Sequence, residues 1–318
     1  GALSAALGNL GSILMHKQDY EGSQESYARS IVLKEELKDH KGLQDLYSSY
    51  LNVLIMDGKM ENAEKLVKKS LKANQKNKNT PGIMFDYRNL GNISLQKTDW
   101  LNAEKNYLKA LEINTQSGNK AEMAEDNRNI YNLYLQKEDW NQAEKFALKA
   151  LALSEEIKDY RNVCADCRIL ANVYVEKKER SKQEIYYKKA LESSQTLNDP
   201  KEILIDLRYL GKFNMERGYR EKAGENFQQA FDLSNQLNDK KEIAEGYRNL
   251  GNLAFSNGER KEAEQSYLSA LELTREVGDF KGAGQDFTYL GNLKFKDYLF
   301  EEAESYFVQA GECFEKTN

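Results

Sequence analysis

Apolar and small residues recur along this chain in steps of three and four, broken by short polar stretches. In the clearest stretch, Ile83, Tyr87, Leu90, Gly91 and Ile93 form one such series, and Ala103, Tyr107, Ala110, Leu111 and Ile113 form the next. Steps of three and four place these side chains on one face of a helix, so the pattern predicts two amphipathic helices joined by a tight turn. The pair then repeats. Leu90-Gly91-Asn92 returns as Leu250-Gly251-Asn252 and Leu290-Gly291-Asn292, and weaker copies begin at Leu10, Tyr50, Ile130, Leu170 and Leu210. The eight starting points are 40 residues apart each time, with no insertion or deletion. A fixed period of this size is the mark of a stacked helical array.

Punctuation agrees with the periodicity. Gly58, Gly218 and Gly258 mark the turn inside three units, and Asp99 and Asp139 mark it in two others. Between units stands Asp39, Asn79, Asn119, Asp159, Asp199, Asp239 or Asp279, each placed to cap the following helix. Asn119–Glu122, Asp199–Glu202 and Asp239–Glu242 have capping-box spacing, and Pro200 falls at a first helical position where its missing N–H is harmless. The units therefore run over about 1–38, 39–78, 79–118, 119–158, 159–198, 199–238, 239–278 and 279–318, read as one domain. The polar run Lys76-Asn77-Lys78-Asn79 predicts a loosely packed junction after the second unit.

Within a unit, Gly is followed twelve residues later by Ala, then by an aromatic four later and Ala three later. The series reads Gly91, Ala103, Tyr107, Ala110 and again Gly251, Ala263, Tyr267, Ala270. It resembles the tetratricopeptide signature, in the longer-helix variety of kinesin light chain and the LGN/Pins proteins, and the resemblance spans the whole chain. It implies an all-α fold, a right-handed α-α superhelix of eight helix-turn-helix repeats, whose first helices line a groove that binds protein segments. Departures are Ala171 for Gly and Gln183 for Ala in the fifth repeat, and the scarcity of proline between units. Small residues suit helices that cross closely, with Tyr27, Tyr107, Tyr187 and Tyr267 filling the neighbouring gap. By the same reasoning Trp100 and Trp140 belong to the core rather than to a cofactor box.

Two repeating columns lie off the apolar arc of the first helix. One carries Arg88, Arg128, Arg168, Arg208 and Arg248. The other, four residues on, carries Asn52, Asn92, Asn132, Asn172, Asn252 and Asn292. Spacing of four sets the columns side by side. Asparagine inside a helix costs about 0.5 kcal/mol or more against alanine, so its recurrence calls for a reason. Its amide both donates and accepts, which suits holding the backbone of an extended peptide, and a guanidinium beside it would read carboxylates. The partner expected is a protein or extended peptide with acidic residues. A second reading of the Arg column stays open. Asp86, Asp126, Asp166 and Asp206 lie two residues before the arginines and could pair with the arginine of the following repeat, giving an inter-repeat ladder that leaves Arg88 without an acid.

Composition narrows the function classes. Net charge is −5, without the basic footprint of a nucleic-acid binder. No apolar run is long enough to span a membrane, and Gly1-Ala2-Leu3-Ser4 does not open a signal peptide. The chain begins inside a helical pattern, as a piece of a longer one would. Three cysteines and two histidines offer neither a disulfide framework nor a typical zinc site, and no cofactor is expected. Cys164 and Cys167 form a C-x-x-C, a redox or metal spacing, but fall in columns otherwise filled by large apolar residues, which points to core. An intracellular location fits. His16 and His40 have no catalytic company, and Glu64, Glu104, Glu144, Glu184, Glu264 and Glu304 read as a solvated face near lysines. Phosphate-binding, nucleophile-elbow and dinucleotide motifs are missing, so the chain reads as a non-catalytic interaction module that could also stack end to end with itself. The alternative is the ligand- or peptide-sensing arm of a larger signalling protein.

Overall fold

The computed structural model describes residues 1–37 and 42–317, so the expected cap Asp39 and the histidine His40 lie outside the described residues. Among the described residues every regular element is a helix. The chain divides into two compact units, Gly1–Ile157 and Lys158–Asn318. The first holds α1 (Ala2–His16), α2 (Tyr20–Glu36), α3 (Leu43–Met56), α4 (Met60–Lys76), α5 (Thr80–Gln96), α6 (Trp100–Ser117), α7 (Lys120–Gln136) and α8 (Trp140–Glu156). The second holds α9 (Tyr160–Glu176), α10 (Arg180–Leu197), α11 (Pro200–Glu216), α12 (Arg220–Leu237), α13 (Lys240–Asn257), α14 (Arg260–Glu276), α15 (Phe280–Lys296) and α16 (Phe300–Glu315). Each unit is four helical hairpins, and each hairpin is one 40-residue repeat.

Helix boundaries follow from capping chemistry. Asn79, Asn119, Asp159, Asp199, Asp239 and Asp279 all accept backbone N–H groups of the helix they precede, as at Gly282 N with 2.9 Å. Asp19, Asp99 and Asp139 do the same for second helices. Inside every repeat the turn closes with a backbone bond of one shape, exemplified by Asp99 N to Ser94 O at 2.8 Å and Glu259 N to Ala254 O at 2.9 Å. That closure requires one left-handed residue. Gly58, Gly218 and Gly258 supply it with φ of 71°, 77° and 85°, while Gln18, Thr98, Glu138, Lys178 and Tyr298 adopt it without being glycine.

The small residues of the repeat sit under aromatic rings. A Cβ added to Gly91 would lie 2.4 Å from the Tyr107 ring, one on Gly211 2.4 Å from Phe227, and one on Gly251 2.6 Å from Tyr267. The ring of the second helix thus lies on the bare backbone of the first, and both partners are buried. In two repeats the glycine is replaced by a large residue and the ring by a smaller side chain: Leu51 and Val67 share one buried cluster in the second repeat, and the fourth repeat has Tyr131 and Ala147 at those positions, whereas Ala171 in the fifth keeps Tyr187. Ala103, Ala143, Ala190, Ala223, Ala263 and Ala270 are fully or nearly fully enclosed, and Gln183 takes the alanine position buried in the fifth repeat. Trp100 and Trp140 differ from expectation. They are the first residues of α6 and α8 and only half-buried, because the first turn sits at the edge of the packed layer.

The junction after the second repeat, expected to pack loosely, is as close as those before and after it, because Asn74 reaches across it to Asp86 at 2.6 Å and is itself bonded by Asn79; the open place is inside the second repeat, between α3 and α4. A cavity of about 440 Å³ there is lined by Leu43, Gln44, Tyr47, Ala73, Asn74, Asn77 and Asn79. Cys164 and Cys167 are unbridged and have no exposed surface. Burial pushes the Cys164 thiol up to about 12, so thiolate chemistry is closed to it and the pair is core.

Candidate functional site

The two columns of the first helices have different fates. All six asparagines remain at the surface: Asn252 is half-buried, and Asn52, Asn92, Asn132, Asn172 and Asn292 are exposed. Three are held from below. The hydroxyl of Tyr107 donates to Asn92 Oδ1 at 2.7 Å, that of Tyr187 to Asn172 Oδ1 at 3.1 Å, and that of Tyr267 to Asn252 Oδ1 at 2.8 Å. The same rings cover the repeat glycine or alanine, so one tyrosine packs the hairpin and fixes an amide. With the oxygen occupied, each of these amides turns its NH₂ outward as a donor pair. Below Asn52, Asn132 and Asn292 the tyrosine position holds Val67, Ala147 and Phe307, which have no hydroxyl. Lys212 takes the asparagine position in the sixth repeat. The Tyr–Asn bonds were legible only as a spacing of fifteen residues shared by three repeats, a distance that no local rule of helix contact flags.

The arginines turn inward. Arg128 and Arg248 are nearly covered, and the side chains of Arg88, Arg168 and Arg208 are 12–14% exposed. Arg88 Nε donates to Asp126 at 2.5 Å, Arg168 Nε to Asp206 at 2.6 Å and Arg248 Nε to Asp286 at 2.5 Å. Glu122 and Glu202 take a second nitrogen of Arg88 and Arg168, and the backbone carbonyls of the same residues take a third. Arg128 donates to Ser154 Oγ at 2.5 Å and Glu125 at 3.3 Å. An inter-repeat ladder therefore exists, but its register differs from the one expected. Arg88, Arg168 and Arg248 reach the aspartate 38 residues ahead, in the next repeat, instead of the aspartate 42 residues behind. Helical side chains lean toward the N-terminus, so a long arginine meets the residue two positions before its own equivalent. Arg88, expected to lack an acid, is fully engaged.

Electrostatics in the ladder are those of buried pairs. Burial raises the carboxyls of Asp126, Asp206 and Asp286 above the usual range, against the pull of Arg88, Arg168 and Arg248. Burial alone would lower the guanidiniums, but the facing carboxylates outweigh it and raise all three. Two rungs are incomplete. Arg208 meets Gly246 where an aspartate would stand, and its Nε is buried without a partner although Glu242 binds another nitrogen at 2.5 Å. Conversely, Asp86 meets Ser48 where an arginine would stand. The glutamate column also joins repeats: Glu64 binds Lys97 at 2.8 Å, Glu264 binds Lys294 at 2.7 Å, and Glu104 accepts from Tyr134 at 2.6 Å. Most of these glutamates are half-buried, more enclosed than a solvated face.

Comparison with known proteins meets this geometry. The helical hairpins superpose on those of a signal-transduction ATPase with a tetratricopeptide-repeat sensor from Pyrococcus horikoshii, with TM-score 0.64 and 16% identity over 98% of this chain. This is a tetratricopeptide-repeat (TPR) fold. The TPR chain spans about half of that ATPase, 47% of its length. It is also similar to aspartyl phosphate phosphatase F from Bacillus subtilis, with TM-score 0.62 and 14% identity over 98% of this chain and 93% of that one. A Rap protein complexed with competence and sporulation factor matches with TM-score 0.54 and 14% identity over 99% of both chains. The family model for soluble NSF attachment protein matches residues 211–318, within the second TPR unit. No curated protein sequence matches the chain. Among the described residues no helix is long and apolar enough to cross a membrane, and no cluster of His, Cys, Asp and Glu could hold a metal.

Proposed function

We propose that this TPR array binds an extended peptide segment of a partner through the asparagine face of its first helices, as a non-catalytic module. One observation carries the reading: six surface asparagines recur at one register, and three are oriented by tyrosine hydroxyls so that their NH₂ groups face outward. An outward NH₂ seeks a carbonyl or carboxylate acceptor, and an extended peptide offers carbonyls at regular intervals whatever its side chains. Asn52, Asn132 and Asn292 leave both ends of the amide available to the same ligand. The ladder leaves Arg88, Arg168 and Arg248 as positioning groups that set the repeat spacing beneath the asparagines. An acidic ligand residue would be read at Lys212, which stands in the asparagine column, is about half exposed and reaches Glu245 only at 3.5 Å. Its place in an intracellular signalling assembly is part of the same reading. Similar folds support it, since one belongs to a signal-transduction ATPase with a tetratricopeptide-repeat sensor and another is a Rap protein complexed with competence and sporulation factor.

The test is selection from a displayed random peptide library against the wild-type chain and against the double variant Asn52→Ala, Asn132→Ala. Neither asparagine serves a tyrosine, so the fold is untouched. Peptides enriched on the wild type should bind the variant at least tenfold more weakly. Equal binding by both proteins removes the asparagine face from the proposal.

A further inference from the structure

The second helices of the first unit carry a pair of lysines at one register. It reads Lys65 and Lys69 on α4, Lys105 and Lys109 on α6, and Lys145 and Lys149 on α8. Lys109 is half-buried and the other five are exposed. The fold does not need them. The same register holds Glu25 and Arg29 in the first repeat, Glu225 and Gln229 in the sixth, Gln265 and Ser269 in the seventh, and Ser305 and Gln309 in the eighth. Like charges four apart on a helix repel, so each pair works against its own helix. Counter-ions are scarce as well. Lys69 meets Glu35 at 2.8 Å, whereas among the described residues no carboxylate pairs with the other five. Lys109 lies over the Tyr87 ring, and Lys145 and Lys149 over that of Phe146. Glu64 and Glu104 are turned to the following repeat, where they meet Lys97 and Tyr134. Beside the lysines, Leu108 and Leu148 are 41% and 37% exposed. A chain of net charge −5 thus gathers unpaired cations and bare leucines on the exposed side of neighbouring repeats.

We infer that this lysine face docks α16 of a second copy of the chain. α16 is its complement in both charge and spacing. Glu301, Glu304, Val308, Glu312 and Glu315 follow one another in steps of three and four, which sets them on one stripe of the helix. All five are exposed, Val308 by 56%, and among the described residues none of the four carboxylates has an ion-pair partner. The stripe has an apolar centre with carboxylates one and two turns to either side. α6 and α8 have the counterpart, a leucine flanked by lysines. Val308 seated on Leu108 and Leu148 brings Glu304 and Glu312 to the lysines that flank those leucines. Opposite charge steers the encounter, and the aliphatic contact adds the apolar burial that an ionic contact alone lacks. A nucleic acid fits less well. Its phosphates would use the lysines but leave the leucines bare, and the rings on this face, Tyr87 and Phe146, are half-buried and buried, so no base can stack. The site lies on the second helices and stands without the asparagine reading, which concerns the first.

The test is analytical ultracentrifugation of the whole chain over micromolar to submillimolar concentrations, with no other partner present. Association that grows with concentration is expected at about 30 mM salt, and it should weaken at least tenfold at about 300 mM, where exposed charges are screened. Two double variants locate the contact: Lys105→Glu with Lys145→Glu, and Glu304→Lys with Glu312→Lys. Each alone should associate at least tenfold more weakly than the wild type. Mixed together they should associate again, because each supplies the face that the other has lost. All four residues are exposed and in no ion pair, so both variants keep the fold, which circular dichroism checks. A chain that stays monomeric at low salt, association untouched by either folded variant, or a mixture that remains monomeric would overturn the inference. A monomer that instead floats with phosphatidylserine vesicles through the same lysines would assign the face to a lipid surface and overturn the second copy as its occupant. Because no peptide is used, these outcomes are independent of whether the asparagine face binds one.

Discussion

Thr98 holds a left-handed backbone with φ of 56° in a turn whose equivalents in three other repeats are glycine. A branched side chain in that region costs about 1 kcal/mol, partly offset by the greater freedom glycine has when unfolded. Thr98→Gly is therefore expected to raise stability by roughly 0.5–1 kcal/mol in denaturant titration. Asp86 tells the same kind of story in charge. Burial pushes its carboxyl up to about 6 despite the hydrogen bonds from Asn74, Ser70 and Gln44. Its folded value lies above the unfolded one near 4, so the native state holds the proton more tightly. The stability from the protonated form is complete below about pH 4 and is lost as pH rises to about 6, a difference of about 2–3 kcal/mol. Asp86→Asn keeps the Oδ2 contacts without the charge. Its melting temperature should exceed that of the wild type at pH 7.5, and the gap should close as the pH falls toward 4.

At the scale of the helix, two devices hold neighbours together, and each has its own failure. Hairpins close by laying a ring on a bare backbone, so Gly91→Ala pushes a Cβ into Tyr107, a ring further pinned through its hydroxyl to Asn92. Overpacking of this kind costs on the order of 1–3 kcal/mol, measurable as a lower urea midpoint with an unchanged slope. Three pairs of successive hairpins, the third with the fourth, the fifth with the sixth and the seventh with the eighth, are joined by the Arg–Asp ladder. Arg168→Ala strands Asp206, whose side chain is fully buried, and should cost about 3–5 kcal/mol. Adding Asp206→Ala should recover a large part of that loss, because the stranded charge is the main penalty and not the missing attraction. A double-mutant cycle without recovery would show that the arginine stem contributes by packing instead. Repeat number, helix boundaries, caps and glycine crossings were all readable from the 40-residue period. The ladder's register was not, because it depends on how far one helix is slipped along the next.

Across the whole chain, binding and stability should separate by column. Asn52 and Asn132 have Val67 and Ala147 at the position beneath them, so their joint replacement by alanine should leave the melting temperature level or slightly raised, alanine being the better helix former by about 0.5 kcal/mol or more per site. Asn92→Ala and Asn172→Ala behave otherwise. Each deprives a buried tyrosine hydroxyl of its acceptor, at about 1–2 kcal/mol, so any loss of ligand must be read against a loss of fold measured by circular dichroism.

The sequence by itself determined the all-helical class, the eight repeats, their turns and caps, and the column of surface asparagines, because each rests on chemistry within one turn of helix or on a period copied along the chain. Tertiary structure alone decided which way the arginines face, which aspartate each one meets, and that Asn92, Asn172 and Asn252 are fixed by tyrosines fifteen residues away. Those outcomes depend on the slip and separation of packed helices, quantities that side-chain volumes set collectively and no single residue carries. The incomplete rung at Ser48 and Asp86 belongs to both. The missing arginine is visible in the letters, but its meaning waited on the register that the packing supplied.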